Sequence, residues 1–422
     1  MSDDRPSADQ HSTAPLAGIR VLEVGAFMAA PFATMHLADL GADVVKVENP
    51  RGGDPVRATG PFLDTHSSPF VRLNRNKRSI AVDLKAPEGI EVLRRLAAGA
   101  DVLVENLRPG TMTRLGLGYE ALAEVNPRLI YASASGWGQD GPLAALPGLD
   151  IMAQARSGLM SITGTADGDP VKVGVPICDL TCGLYIALAV TAALRAREQT
   201  GRGQHIDISL LESGVSFAIW EAGKYWATGE VGRPLGSAHQ STAPYQAVRS
   251  KDGWVTVGAV TPKTWQGFCA ALGLDELLAD ERFADAHDRH AQRDELVPAI
   301  ERATGRLTTA EVVALLDAAG VPCAPINDTG QVFTDPHLER RDFFWDAAHA
   351  ELGPVRQIGS PMRLSDTPVR RDTAGPLLGG HTVDVLREAG FPDAQVEELL
   401  GRAVIAAAPS ANGAGPGDID PD

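Results

Sequence analysis

The sequence predicts an α/β protein. It reads as a large domain with a mostly parallel sheet, built from both ends of the chain, and a smaller α+β domain inserted between them. Three observations carry this. Short β-branched runs alternate with helical stretches through the first half, as βαβ units do. Near residue 228 the texture changes to a hairpin followed by helices rich in Ala, Leu and charge. After about residue 333, short strands and a closing helix return.

The elements follow in order. "GIRVLEVG" (18–25) reads as a strand and "PFATMHLADLG" (31–41) as a helix with proline near its first turn. "ADVVKVE" (42–48) is the next strand. "RSIAVDL" (78–84) leads to a helix near 86–98, then to "ADVLVEN" (100–106) and a helical stretch reaching Val125. "RLIYASAS" (128–135) is a further strand. A long apolar helix begins in "VPICDLTCGLYIALAVTAALRARE" (175–198), and "TGRGQHIDISL" (200–210) is a turn and strand. "APYQAVRSKDGWVTVGAV" (243–260) pairs two strands about Lys251, Asp252 and Gly253, a hairpin signal. "GVPCAPIND" (320–328) reads as an exit strand and loop. The expected division is a tail at 1–15, a large domain over 16–227, a small domain over 228–330, a return over 331–404 and a tail at 405–422. Both tails are polar or small-residue segments with nothing to bury, and disorder is expected there.

Composition bounds the function. A chain of 422 residues exceeds one ordinary core, and 44% apolar with 22% charged residues is the balance of a soluble globular protein. No uncharged apolar run of spanning length is expected, so no membrane partner. The first residues lack the apolar core of a signal peptide, which favours the cytoplasm. A net charge of −16 argues against nucleic acid as a partner, yet allows a local basic pocket for one anion. The four cysteines do not form a disulfide pattern. Cys178 and Cys182 have no further Cys or His beside them to complete a metal set, so no metal is expected.

Asp179 stands where a proline-ended approach meets the long apolar helix. An aspartate there is ordinarily an N-cap, accepting from the free amides of the first turn. The same setting favours an ionised carboxylate, which is a nucleophile needing no partner base. "RLNRNKRS" (72–79) gathers four cations, either a phosphate site or a solvated loop. "VENLRPGTMTRLGLG" (104–118) leaves a strand end carrying Arg108 and Arg114, and such loops bind ligands in open α/β sheets or simply connect. No Gly-x-Gly-x-x-Gly follows the first strand, which disfavours a nicotinamide enzyme, and no Walker A or Ser-His-Asp pattern is present. Cys178 beside Asp179 reads as a packed thiol, because a neighbouring carboxylate raises its pKa.

Taken together, "LAGIRVLEVGAFMAAPFATMHLADLGADVVKVENPRGGDPVR", "NRNKRSIAVDLKAPEG", "ADVLVENLRPGTMTRLGLGYEAL", "VPICDL", "TGRGQHIDISLLES" and "PLLGGHTVDVL" make the chain resemble the class III CoA-transferases of the CaiB/BaiF type. That group includes formyl-CoA transferase, carnitine CoA-transferase and α-methylacyl-CoA racemase. The resemblance runs from about Leu16 to Leu400. It implies a Rossmann-like large domain, a small domain and an interlocked homodimer. It also implies acyl-CoA and a carboxylic acid as substrates, with no tightly bound cofactor. Asp179 falls at the family's catalytic aspartate, which passes through an acyl anhydride and a CoA thioester. CoA contacts fall on Val82, Asp83, Leu84 and Lys85, on Asn106, Leu107 and Arg108, on Arg114, and on Ser135, Gly136 and Trp137. Met28 and Ala29, with Gly236 and His239 of "PLGSAHQS" (234–241), fall in the substrate pocket. Met28 replaces a glutamine and Asn49 an arginine of formyl-CoA transferase, which argues against oxalate or formyl specificity. The alternatives are a racemase or a CoA-binding relative without turnover. Racemases carry a Gly-His-Asp segment, whereas this chain reads "PGLD" with Leu149, which moves no proton.

Overall fold

The computed structural model describes residues 14–408. It contains fourteen strands: β1 (Arg20–Val24), β2 (Asp43–Glu48), β3 (Phe62–Leu63), β4 (His66–Ser67), β5 (Lys77–Val82), β6 (Val102–Glu105) and β7 (Ile130–Ser135), followed by β8 (His205–Ser209), β9 (Tyr245–Arg249), β10 (Trp254–Gly258), β11 (Cys323–Pro325), β12 (Phe344–His349), β13 (Gly353–Ile358) and β14 (Ile405–Ala406). They fall into two compact units, one of residues 14–158, 173–219 and 338–408, the other of 159–172 and 220–337.

The first unit holds a seven-stranded sheet in the order β14-β5-β2-β1-β6-β7-β8. Every pairing is parallel except that of β14, which runs antiparallel beside β5. The order reverses at β1, so the gap between β1 and β6 is the topological switch point of a doubly wound sheet. Alternation along each strand divides the two faces. Leu22, Val24, Val45, Val47, Ile80 and Val82 face an apolar core completed by Val92, Leu93, Leu122, Val385 and Leu399 from covering helices. Glu23, Lys46, Glu48, Lys77 and Ser79 alternate with them and are buried on the opposite face. β12 and β13 form an antiparallel pair, whose Trp345, Ala347 and Val355 pack with Val56, Phe70 and Val71.

The second unit is a three-stranded antiparallel sheet, β11-β10-β9, covered by helices that include Pro262–Leu272, Arg293–Thr304 and Thr309–Ala318. Trp265, Phe268, Leu296, Ile300, Val312 and Leu316 close its core over Val248, Val255 and Val257. The strand pairing Trp254↔Arg249 leaves residues 250–253 as the hairpin loop expected there.

Several expectations need correcting. The smaller unit takes in residues 159–172, an excursion with no helical or strand periodicity to mark it, and it begins at Trp220 rather than 228. The C-terminal tail expected from 405 starts later: Ile405 pairs with Val82 and is buried in the apolar core. The rest of both tails lies outside the described residues. The helix Ile177–Thr200 is long and apolar enough to cross a membrane, contrary to the sequence reading. Half of it is buried, packed on the helix Ala29–Asp39 and on β7 and β8, and its Arg197 is buried beside Asp101 at 2.8 Å. That is the setting of a core helix.

Candidate active site

The carboxyl ends of β1, β2, β5 and β6 surround a cavity of about 410 Å³, within the range of small-molecule sites. Gly25 and Ala26 line it from β1, Glu48 and Asn49 from β2, and Leu107 and Thr111 from the loop after β6. Val82, Asp83, Leu84 and Lys85 form the wall beyond β5. Lys85, Arg108 and Arg114 are exposed and carry no ion pair among the described residues. Arg114 only donates to the Thr111 hydroxyl, at 2.9 Å. Lys85 lines the cavity together with the acids Glu48, Asp54 and Asp83, while Arg108 and Arg114 neighbour its lining residues Leu107, Thr111 and Leu115 in the chain; cations without ion pairs suit an anionic ligand.

The four cations of residues 72–79 behave differently. Arg75 makes a two-pronged bond to Asp39, Lys77 meets Glu23 at 2.8 Å, and Arg78 joins Asp43 and Glu388. Arg72 donates to Ser68. The segment is neither phosphate site nor solvated loop, because the acids that use up Arg75, Lys77 and Arg78 come from distant parts of the chain.

Asp179 lies in the first turn of Ile177–Thr200, but it is not the N-cap; Pro176 is, with no side-chain cap. The free amides are met from outside. Asp150 Oδ1 accepts from Cys178 N at 2.9 Å and Asp179 N at 3.4 Å, and its Oδ2 accepts from Gln154 Nε2 at 2.6 Å. Burial, and then the Asp150 charge, push the Asp179 carboxyl up to about 7. The expectation that this setting favours an ionised carboxylate is thereby corrected, since burial first and the Asp150 charge second oppose ionisation. The Cys178 thiol is driven further, to about 12, by burial, Asp150 and Asp179, so it is no thiolate nucleophile.

Two close approaches fix the surroundings. A Cβ on Gly183 would lie 2.9 Å from Ala29 O, so the helix Ala29–Asp39 touches the long helix one turn beyond Asp179, on the same face. Met28 is the N-cap of that shorter helix. A Cβ on Gly136 would lie 2.8 Å from Gly148 Cα, so the end of β7 abuts the chain that leads into Asp150. Ala29 thus lies against the helix one turn from Asp179, and Gly136 lies against the segment whose Asp150 accepts from the Asp179 amide.

Sequence and structure comparisons show the family. The family described as CoA-transferase family III matches residues 16–382. The chain belongs to that family. Succinyl-CoA:glutarate CoA-transferase of Mus musculus is 40% identical over 403 residues, spanning 95% of this chain and 92% of the relative. Succinate–glutarate CoA-transferase of Agrobacterium fabrum is 38% identical over 381 residues, spanning 89% and 95%. A CaiB/BaiF family protein from Brucella suis has a similar solved structure, with a TM-score of 0.81 at 37% identity, over 89% of this chain and 100% of that one. The protein is a CoA-transferase, and acyl-CoA is the substrate such enzymes use.

Within this CoA-transferase the remaining expected residues take distinct places. Asn106 is engaged at both ends of its amide: Nδ2 donates to Ala26 O at 2.8 Å and Oδ1 accepts from Ala26 N at 3.0 Å. It ties β1 to β6 across the switch point. Trp137 donates from Nε1 to Pro147 O at 3.3 Å, and Ser135 Oγ accepts from Gly138 N at 2.9 Å. Leu149 is exposed at the N-cap of Asp150–Arg156. Gly236 and His239 belong to the smaller unit. Gly236 N donates to Gly164 O at 2.8 Å, and the His239 ring stacks on Tyr245 at 5.0 Å.

Sequence reasoning missed the charges beneath the crevice. Lys46 bonds Glu23 at 2.5 Å and Asp54 at 2.9 Å, and Lys77 bonds the other oxygen of Glu23, with all four side chains buried. Thr34 Oγ1 donates to Glu23 at 2.6 Å. Burial pushes the Glu23 carboxyl up, yet Lys46 and Lys77 more than offset it and hold the group down at about 2. The signal was present in "RVLEV" and "DVVKVE", where Glu23 and Lys46 each stand between apolar residues inside a strand. A charge inside a central parallel strand requires a buried partner.

Proposed function

We propose that this enzyme moves CoA between dicarboxylic acids of the succinate and glutarate type, with Asp179 as covalent nucleophile. The observation that carries the reading is the place of the Asp179 carboxyl, half-buried on the first turn of a helix whose next turn meets Ala29 O. The substrate class rests on what the relatives are named for, succinyl-CoA and glutarate among them.

Asp179 attacks the donor thioester carbonyl; the C–S bond breaks, CoA thiolate leaves and an acyl-aspartyl anhydride remains. The thiolate attacks the Asp179 carbonyl of that anhydride, releasing the donor acid and leaving an aspartyl-CoA thioester. The acceptor carboxylate attacks this thioester and frees the thiolate again. Attack of the thiolate on the acceptor carbonyl yields the new acyl-CoA and restores the Asp179 carboxylate. Once Asp179 is ionised no further base is needed, since the thiolate and the acceptor carboxylate are anions. Asp150 occupies the Cys178 and Asp179 amides, so the oxyanion donors in this scheme lie elsewhere.

We further assign the working enzyme as a homodimer. Leu184, Leu188, Val215, Phe217 and Ile219 are exposed on the first unit, and Trp220, Tyr225, Trp226 and Val231 on the second, an apolar display suited to covering by another copy.

Incubation with succinyl-CoA followed by hydroxylamine is expected to place a hydroxamate on Asp179, read by peptide mass spectrometry. Asp179→Ala should still bind CoA and lose transfer. Turnover in that variant would end the proposal.

A further inference from the structure

Side chains from distant parts of the chain converge on one short stretch of backbone after β1. Lys46 Nζ donates to Gly25 O at 2.9 Å, and Asn106 holds Ala26 by both its N–H and its carbonyl. Asp54 Oδ1 accepts from Phe27 N at 3.2 Å. Lys46 and Asp54 form a buried ion pair, so the clamp on Gly25 and the clamp on Phe27 are one unit.

What they hold is Phe27 at a φ of 61°, the left-handed region that a Cβ disfavours and glycine enters freely. The ring is 59% exposed and adds little to the core. Stability alone would therefore be served by glycine. Along the chain, Phe27 separates Ala26, which lines the cavity, from Met28, the N-cap of Ala29–Asp39, and from Ala29, whose carbonyl meets the long helix one turn from Asp179.

The geometry points to Phe27 as a specificity-determining residue: its ring forms an apolar wall for the methylene spacer of a dicarboxylyl thioester, with Asp54, Lys46 and Asn106 as the positioning residues that present it. This rests on the reading of Asp179 as nucleophile and deepens it, since a spacer between two carboxyl groups is the part of the substrate an aromatic face can recognise.

The test compares Phe27→Ala and Phe27→Leu with the unaltered enzyme on acetyl-, succinyl- and glutaryl-CoA. In Phe27→Ala, kcat/KM for succinyl- and glutaryl-CoA is expected to fall about tenfold relative to acetyl-CoA, with Phe27→Leu restoring part of the preference. Affinity for free CoA, by calorimetry, should stay within about twofold, because the cavity walls are untouched. An equal loss for all three donors, or an unchanged ratio, overturns the assignment. So does a change in sedimenting mass, which would make the ring a contact between copies. Trapping on Asp179 in the unaltered enzyme is read separately, so failure of the nucleophile and failure of the Phe27 wall give different results.

Discussion

The acid that opens the long helix illustrates how one residue's chemistry depends on a neighbour out of sequence. The proposed attack requires the Asp179 carboxylate, and burial with the Asp150 charge pushes that carboxyl up to about 7. The ionised fraction of the free enzyme therefore rises with pH through about 7 and levels off above it. A kcat/KM profile should show an acid limb centred there. Asp150→Asn keeps an oxygen for the Cys178 and Asp179 amides but removes the like charge, so the limb should move to lower pH. A limb that stays put would mean that Asp150 does not act on the reacting group. Stability runs the other way. The folded value lies above the ordinary 3.8, so folding favours the protonated form and stability is lost as pH rises from about 4 through about 7. Asp179→Asn should accordingly raise Tm at pH 8, by about 2–4 °C, while ending transfer. The position of Asp179 was legible in "VPICDL"; its proton affinity was not, because Asp150 lies 29 residues away and reaches the helix only by folding.

At the level of elements, alternation carried most of the fold. The six parallel strands of the large sheet were visible as β-branched runs, because the face each turns to the apolar core is rich in Val, Ile and Leu. β14 was missed because two residues in a Gly- and Ala-rich segment offer no period to detect. The second face of β1, β2 and β5 was also hidden, since its charged set looks like ordinary polarity until the strands are aligned. That set gives a firm prediction. Glu23→Gln leaves Lys46 and Lys77 buried around one neutral group, with Asp54 the remaining acid beside Lys46, and should cost about 3–5 kcal/mol in denaturant unfolding. A cost below about 1 kcal/mol, the range of exposed pairs, would show that water reaches the cluster.

For the whole molecule, the exposed apolar side chains lead to an expectation about assembly. Leu188 is 64% exposed midway along the helix Ile177–Thr200. Leu188→Arg should shift the sedimenting species toward a single copy of 44.4 kDa and lower activity, whereas a mass unchanged by the arginine would place the contact elsewhere. The short loan of residues 159–172 to the smaller unit was not readable, since nothing local distinguishes it from a connection. One feature of the large sheet bears on how the enzyme comes into being. Val404 O accepts from Asp83 N at 2.8 Å, and Ile405 and Ala406 zip onto the strand whose end forms one wall of the cavity. A ribosome must therefore pass codon 406 before that wall is braced, and products of termination short of it should emerge with the cavity unsupported on that side.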